Sequence, residues 1–193
     1  MKTLNERLDL IKPKILEPTF RQGKGLGNEI NFWIFDYDAE DEMAVRQHIA
    51  YLKQNITAER EDVRIISFDL FDMLADFLNE KNYLDMVLKM ETEKGSDAII
   101  NPIKKTLRST LRDDVIASKI AEGNNPETDI IFIYGVGKAW PLVRSHTVLN
   151  NLHSRIEKTP VVMFFPGFYD SELRLFNEIT DDNYYRAFRL IER

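Results

Sequence analysis

The sequence predicts an α/β fold in three layers, a mostly parallel sheet of about four to five strands flanked by helices. Four short runs, residues 30–38, 63–68, 129–134 and 160–165, are rich in β-branched and aromatic residues and bounded by turn residues, as strands are. Between them lie stretches whose apolar residues recur at helical spacing, and this alternation is what right-handed crossovers between parallel strands require. The third run, Asp129-Ile130-Ile131-Phe132-Ile133-Tyr134, is almost wholly apolar, as strands buried on both faces are.

Taken in order, the start Met1-Lys2-Thr3-Leu4-Asn5-Glu6-Arg7-Leu8-Asp9 alternates charge and leucine and reads as an amphipathic helix. Pro13 and Pro18 punctuate the next stretch, and Phe20 to Asn28, with three glycines, reads as a loop. Residues 1–28 therefore form an N-terminal helix and loop, and 29–193 an α/β core, in a single domain. After the first strand, acids from Glu40 to Glu42 suit a helix's first turn, and Val45, Ile49, Leu52 and Ile56 form one apolar face. Phe71, Leu74 and Leu78 begin the face of the next helix. Residues 83–90 are a further piece, and Leu107, Leu111 and Val115 mark a longer helix closed by Gly123 and Pro126. Pro141 is expected to open a helix to Ile156. The fourth strand is expected to end at Pro166-Gly167, and residues 184–191 to add an edge strand or a terminal helix.

Composition narrows the function classes. The 193 residues are enough for one domain with a substantial core. No apolar run approaches the about 20 residues of a membrane span, and the N-terminus lacks the apolar centre of a secretory signal, so a cytoplasmic protein is expected. The absence of cysteine rules out disulfides, thiolate zinc sites and thiol nucleophiles. With 26 Lys and Arg against 32 Asp and Glu, the net charge of −6 gives no global grip on a polyanion. Local basic groups are Arg21 with Lys24, then Lys104, Lys105, Arg108 and Arg112, then Arg174, Arg186 and Arg189. Acids share the same segments, so solvated faces explain them.

A Rossmann-like or P-loop-like topology is expected without a working Walker motif. Gly135-Val136-Gly137-Lys138 follows a strand, where backbone amides could cradle a phosphate. A Walker loop would need glycine at Phe132 and Ser or Thr at Ala139, and the dinucleotide fingerprint would need glycine at Trp140. Asp36 and Asp38, with Asp69 and Asp72, could gather at neighbouring strand ends around Mg²⁺, although acids there also cap helices. His48, His146 and His153 make no helical ligand pair, and no Gly-x-Ser-x-Gly elbow occurs. The reading is of no catalytic, cofactor or metal residues and hence no enzyme.

The last quarter is the most distinctive part. Gly135-Val136-Gly137, Trp140-Pro141, Arg144-Ser145-His146, Leu149-Asn150-Asn151-Leu152, Phe165-Pro166-Gly167, Tyr169-Asp170, Leu173-Arg174-Leu175-Phe176 and Asn183-Tyr184-Tyr185-Arg186-Ala187-Phe188 together resemble the BrxB family of BREX bacteriophage-exclusion systems. The family pattern carries a glycine after Tyr-Asp where this chain has Ser171-Glu172. The resemblance implies a cytoplasmic component of a defence system that also contains a DNA methyltransferase, an alkaline-phosphatase-like protein called PglZ, and a large ATPase. It implies no catalytic residue. Its implied role is an adaptor that binds another BREX protein, foremost PglZ, and reaches DNA only through the complex. Two alternatives are a degenerate nucleotide-binding regulator using the 135–138 loop and a DNA-contacting subunit using the basic residues from Lys104 to Arg112. Tyr169, Asp170, Arg174, Tyr184, Tyr185, Arg186 and Arg189 are the partner-binding candidates, being largely the aromatic and guanidinium types that anchor interfaces. Gly135, Gly137, Pro166 and Gly167 are candidates for setting loop geometry.

Overall fold

The computed structural model describes residues 2–22, 31–108, 114–170, 172–180 and 187–193. The chain begins with three short helices, α1 (Leu4–Asp9), α2 (Ile11–Ile15) and α3 (Pro18–Gln22), followed by strand β1 (Phe32–Tyr37). Thr3 caps α1 in a reciprocal box with Glu6, which satisfies amides the first turn leaves open. A 3₁₀ turn at Ala39–Asp41 leads into α4 (Glu42–Glu59), whose buried residues are Val45, Ile49, Leu52 and Ile56, the face expected from their spacing. Strand β2 (Arg64–Asp69) is followed by α5 (Leu70–Glu80), α6 (Leu84–Lys94), α7 (Ser96–Arg108) and α8 (Val115–Ala121). Then come β3 (Asp129–Tyr134), α9 (Val136–Ala139), α10 (Ser145–His153), β4 (Val161–Tyr169), β5 (Leu173–Leu175), β6 (Ile179–Thr180) and β7 (Phe188–Arg189).

The main path of the sheet runs β2-β3-β4-β1-β7, all parallel, and β5 and β6 extend β4 as an antiparallel hairpin. Among the described residues seven strands thus stand where four to five were expected, the additions being strands of two or three residues, too short for periodicity to reveal. Side chains alternate across the sheet. Trp33, Phe35, Tyr37, Phe132, Val162 and Phe164 pack on one face with α1, α2 and α4. Phe32, Ile34, Ile131, Ile133, Met163 and Phe165 pack on the other with α5 to α10. Period-two alternation with apolar residues on both sides is what places a sheet between two helical layers.

Four expectations need correction. Phe71 is exposed, because Asp69 caps α5 and Leu70, not Phe71, is its first core residue. The helix expected through Leu107 and Val115 is two helices, α8 starting afresh where Asp114 accepts from the amides of Ile116 and Ala117, while Leu111 lies outside the described residues. Pro141 follows the end of α9 instead of opening a helix. Trp140 before it is extended, as residues preceding proline tend to be, and α10 begins only at Ser145. Strand β4 does not stop at Pro166-Gly167. It leaves the β1 register at Pro166, opposite Tyr37, and pairs Gly167 to Tyr169 with β5. For the C-terminal segment, the structure supplies the edge-strand outcome at Phe188–Arg189. Among the described residues no helix is long and apolar enough to cross a membrane.

Candidate functional site

The carboxyl ends of β1 and β4 lie side by side, and the chain leaves them in different directions, the geometry in which open α/β sheets form a crevice. Asp36 sits there with 0% exposure. Its carboxylate accepts from Arg7 at 2.9 Å, Arg193 Nε at 3.1 Å, Arg189 at 3.4 Å and the Tyr169 amide at 3.2 Å. Arg7 also donates to the Ile191 carbonyl at 3.2 Å and lies 4.7 Å from the Phe35 ring centre. Burial pushes the Arg7 guanidinium below its ordinary value, an effect that Asp36 opposes. Arg193 reaches Asp38 at 3.2 Å and the Gly167 carbonyl at 2.7 Å, and Arg189 donates to the Tyr169 carbonyl. The Phe168 ring meets the guanidinium carbons of Arg189, Arg193 and Arg174 at 5.2, 5.5 and 6.0 Å. One buried carboxylate therefore ties α1, β1, β4 and the C-terminal segment together. A buried charge persists only when paired and hydrogen-bonded in this way.

A second acid, Asp69, ends β2. Its Oδ1 accepts the Phe71 and Asp72 amides at 3.0 and 3.3 Å, and its Oδ2 pairs with Arg46 at 3.2 Å and Lys138 at 2.6 Å. Lys138 also reaches Asp72 at 3.4 Å. Gly135, at φ 73°, lies so close to this acid that a Cβ would meet Asp69 Oδ1 at 2.4 Å. A Cβ on Gly137 would meet the Phe176 ring at 2.9 Å. The 135–138 turn is thus built around Asp69 and Phe176, and its lysine is engaged with carboxylates. The four acids considered for Mg²⁺ divide between two cation-paired groups, Asp36 with Asp38 and Asp69 with Asp72.

The opposite character appears on the helical face. Between α5, α6 and α7, and lined also by the Trp140-Pro141-Leu142 turn, lies a groove of about 440 Å³. Leu74, Leu78, Leu84, Val87 and Ile100 line it. The rim residues Leu88, Phe71 and Trp140 are 51%, 41% and 38% exposed. Apolar surface of this kind, contiguous and concave, marks interaction sites in soluble proteins.

The sequence model of a family described as BREX protein BrxB matches residues 66–190. A protein named BREX protein BrxB from Bacillus cereus (strain H3081.97) is 50% identical over 194 residues, covering 100% of each chain. Another of that name, from Escherichia coli O9:H4 (strain HS), is 36% identical over 190 residues, covering 97% of this chain and 92% of that one. The chain belongs to the BrxB family. No solved structure matches it.

In this BrxB-family chain, the residues singled out from sequence have different surroundings. Tyr169 is buried, its hydroxyl donating to the Ala187 carbonyl at 2.6 Å, and burial pushes its pKa up to about 12. Its ring is a tie between β4 and the C-terminal segment, not a surface contact. Arg189 is mostly buried on Asp36 and Tyr169. Asp170 and Arg174 are exposed beside the β4–β5 turn, with Arg174 3.7 Å from Glu172. Tyr184, Tyr185 and Arg186 lie outside the described residues, as do Ser171, Lys24 and Arg112. Pro166 sits where β4 changes partners, its carbonyl accepting from Phe176 at 2.8 Å. Gly167 allows the Arg174 carbonyl to approach, since a Cβ there would meet that oxygen at 2.0 Å. Sequence reasoning missed Arg7, Arg193 and Phe168. The available signal was Asp36 itself, a charge inside the buried run Phe32–Tyr37 that demands cations from elsewhere in the chain.

Proposed function

We propose that this protein is a non-enzymatic adaptor in a BREX phage-defence complex, acting in the cytoplasm by binding the alkaline-phosphatase-like PglZ protein. Membership of the BrxB family supports the system. The observation that carries the adaptor reading is the apolar groove on the α5–α7 face, open among the described residues, since a soluble domain of this size gains from covering such a surface with a partner. The carboxyl edge supports it from the other side, because Asp36, Asp69 and Lys138 hold the fold together through their own pairs. Asp170 and Arg174 offer a smaller polar contact near the hairpin. DNA is reached indirectly, through the partner. Pairwise co-purification of the tagged protein with each other member of the BREX system is the test. A stable complex with PglZ is expected, and failure to form a complex with any member would remove the adaptor role.

A further inference from the structure

We propose that the groove between α5, α6 and α7 receives an amphipathic helix of a BREX protein, presenting aliphatic or aromatic anchors flanked by lysine or arginine. This rests on the adaptor reading. Three observations fix the chemistry of the occupant. The groove walls are three helices and a turn, with no strand among them, so no sheet edge is offered to an extended strand. An entering segment must therefore satisfy its own backbone, which a helix does, and it can then set anchors into the groove at i, i+3 or i+4, and i+7. The walls match such a segment in length. At 1.5 Å per residue, α6 with 11 residues and α7 with 13 run for about 17 and 20 Å, between three and four turns of a guest helix.

Charge gives the flanks. The ionisable side chains lining the groove are Glu91 and Asp97, both acids, and Lys138 beside Phe71 is tied to Asp69 at 2.6 Å. An acidic margin around apolar lining favours a cationic amphipathic segment and disfavours nucleic acid or an anionic lipid surface. It also disfavours a second copy of this chain, whose net charge is −6. A small-molecule site would show convergent polar groups inside. Among the described residues the polar side chains of the lining are Glu91, Ser96, Asp97 and the Trp140 indole, and the Ser96 hydroxyl donates to Glu91 at 2.7 Å.

The test uses the full-length tagged chain co-expressed with each BREX protein, in four forms: wild type, Leu88→Glu, Asp97→Lys, and Met43→Glu on α4 across the sheet as control. Thermal melting checks that each is folded. Leu88→Glu is expected to lower partner recovery roughly tenfold or more and Asp97→Lys severalfold, with Met43→Glu unchanged. A photo-crosslinking residue at position 88 is expected to mark a Lys- or Arg-flanked helix of the partner. If the complex forms but is indifferent to Leu88→Glu, the groove assignment is wrong while the adaptor role stands. A crosslink to a second copy, to a non-helical or acidic partner segment, or a small apolar molecule held in native mass spectrometry and lost in Leu88→Glu, overturns it equally. If the wild type recovers no BREX protein at all, the adaptor reading fails and takes this proposal with it.

Discussion

The carboxyl edge around Asp36 and the groove between α5 and α7 dispose of their chemistry in opposite ways. At the edge, a fully buried carboxylate is met by cations from α1, β7 and the C-terminal segment, so its counter-charges come from inside the molecule. In the groove, Leu88, Phe71 and Trp140 stay partly exposed beside the buried Leu74, Leu78 and Val87. The lesson is that a dense cluster of arginine and aromatic residues can be held by contacts within the fold, as Tyr169 and Arg189 are. Among the described residues Arg7, Tyr169, Arg189 and Arg193 close the fold at the edge, whereas a set of leucines and isoleucines lines an apolar groove.

That contrast predicts large stability losses at the edge and small ones at the groove. Asp36→Asn would leave Arg7 buried without a counter-charge and should cost about 3–5 kcal/mol in denaturant unfolding. A loss below about 1 kcal/mol would show that Arg7 relocates to solvent and that the edge is less closed than its bonds to Asp36 imply. Gly135→Ala combines a left-handed backbone with a collision against Asp69 and should cost about 1–3 kcal/mol by the same assay. Tyr169→Phe removes the bond to the Ala187 carbonyl and should cost about 1 kcal/mol, with faster amide exchange concentrated in residues 187–191.

Acid titration sharpens the same side of the comparison. Burial pushes the Asp38 carboxyl up, but Asn177 and Arg193 outweigh it and hold it below its ordinary value. A carboxyl depressed in the folded state stabilises fully above its unfolded pKa, about 3.9, and loses that contribution as pH falls through the folded value. Asp38→Asn should therefore flatten part of the acid-induced loss of Tm below about pH 4. The smallest effect belongs to the groove. Leu88→Glu should change unfolding stability by no more than about 0.5 kcal/mol, because the side chain is half exposed. A larger loss would mean that the groove is part of the core.

Much of the fold was legible because each local signal agreed with its burial. Val45, Ile49, Leu52 and Ile56 face the core as their spacing requires, and Asp129–Tyr134 is the buried strand its composition describes. Less was legible where tertiary partners decide. The two residues of β7 are a strand because β1 offers Trp33 and Ile34 as partners. Strand β4 continues past Pro166-Gly167 because β5 folds back upon it. Of the candidate site residues, Gly135 and Gly167 sit where a Cβ would collide with a neighbour, while Tyr169 is buried with its hydroxyl on the Ala187 carbonyl.

The sequence alone determined the fold class, which residues of a helix such as α4 face the core, and the family, because periodicity and linked motifs are local properties carried by residue order. The tertiary structure alone decided that Arg7, Arg189 and Arg193 meet at Asp36, across separations of up to 157 residues. It alone decided that helices α5, α6 and α7 leave an apolar groove between them. Both depend on which surfaces meet when the sheet closes, and the order of residues along a chain does not encode that contact by contact.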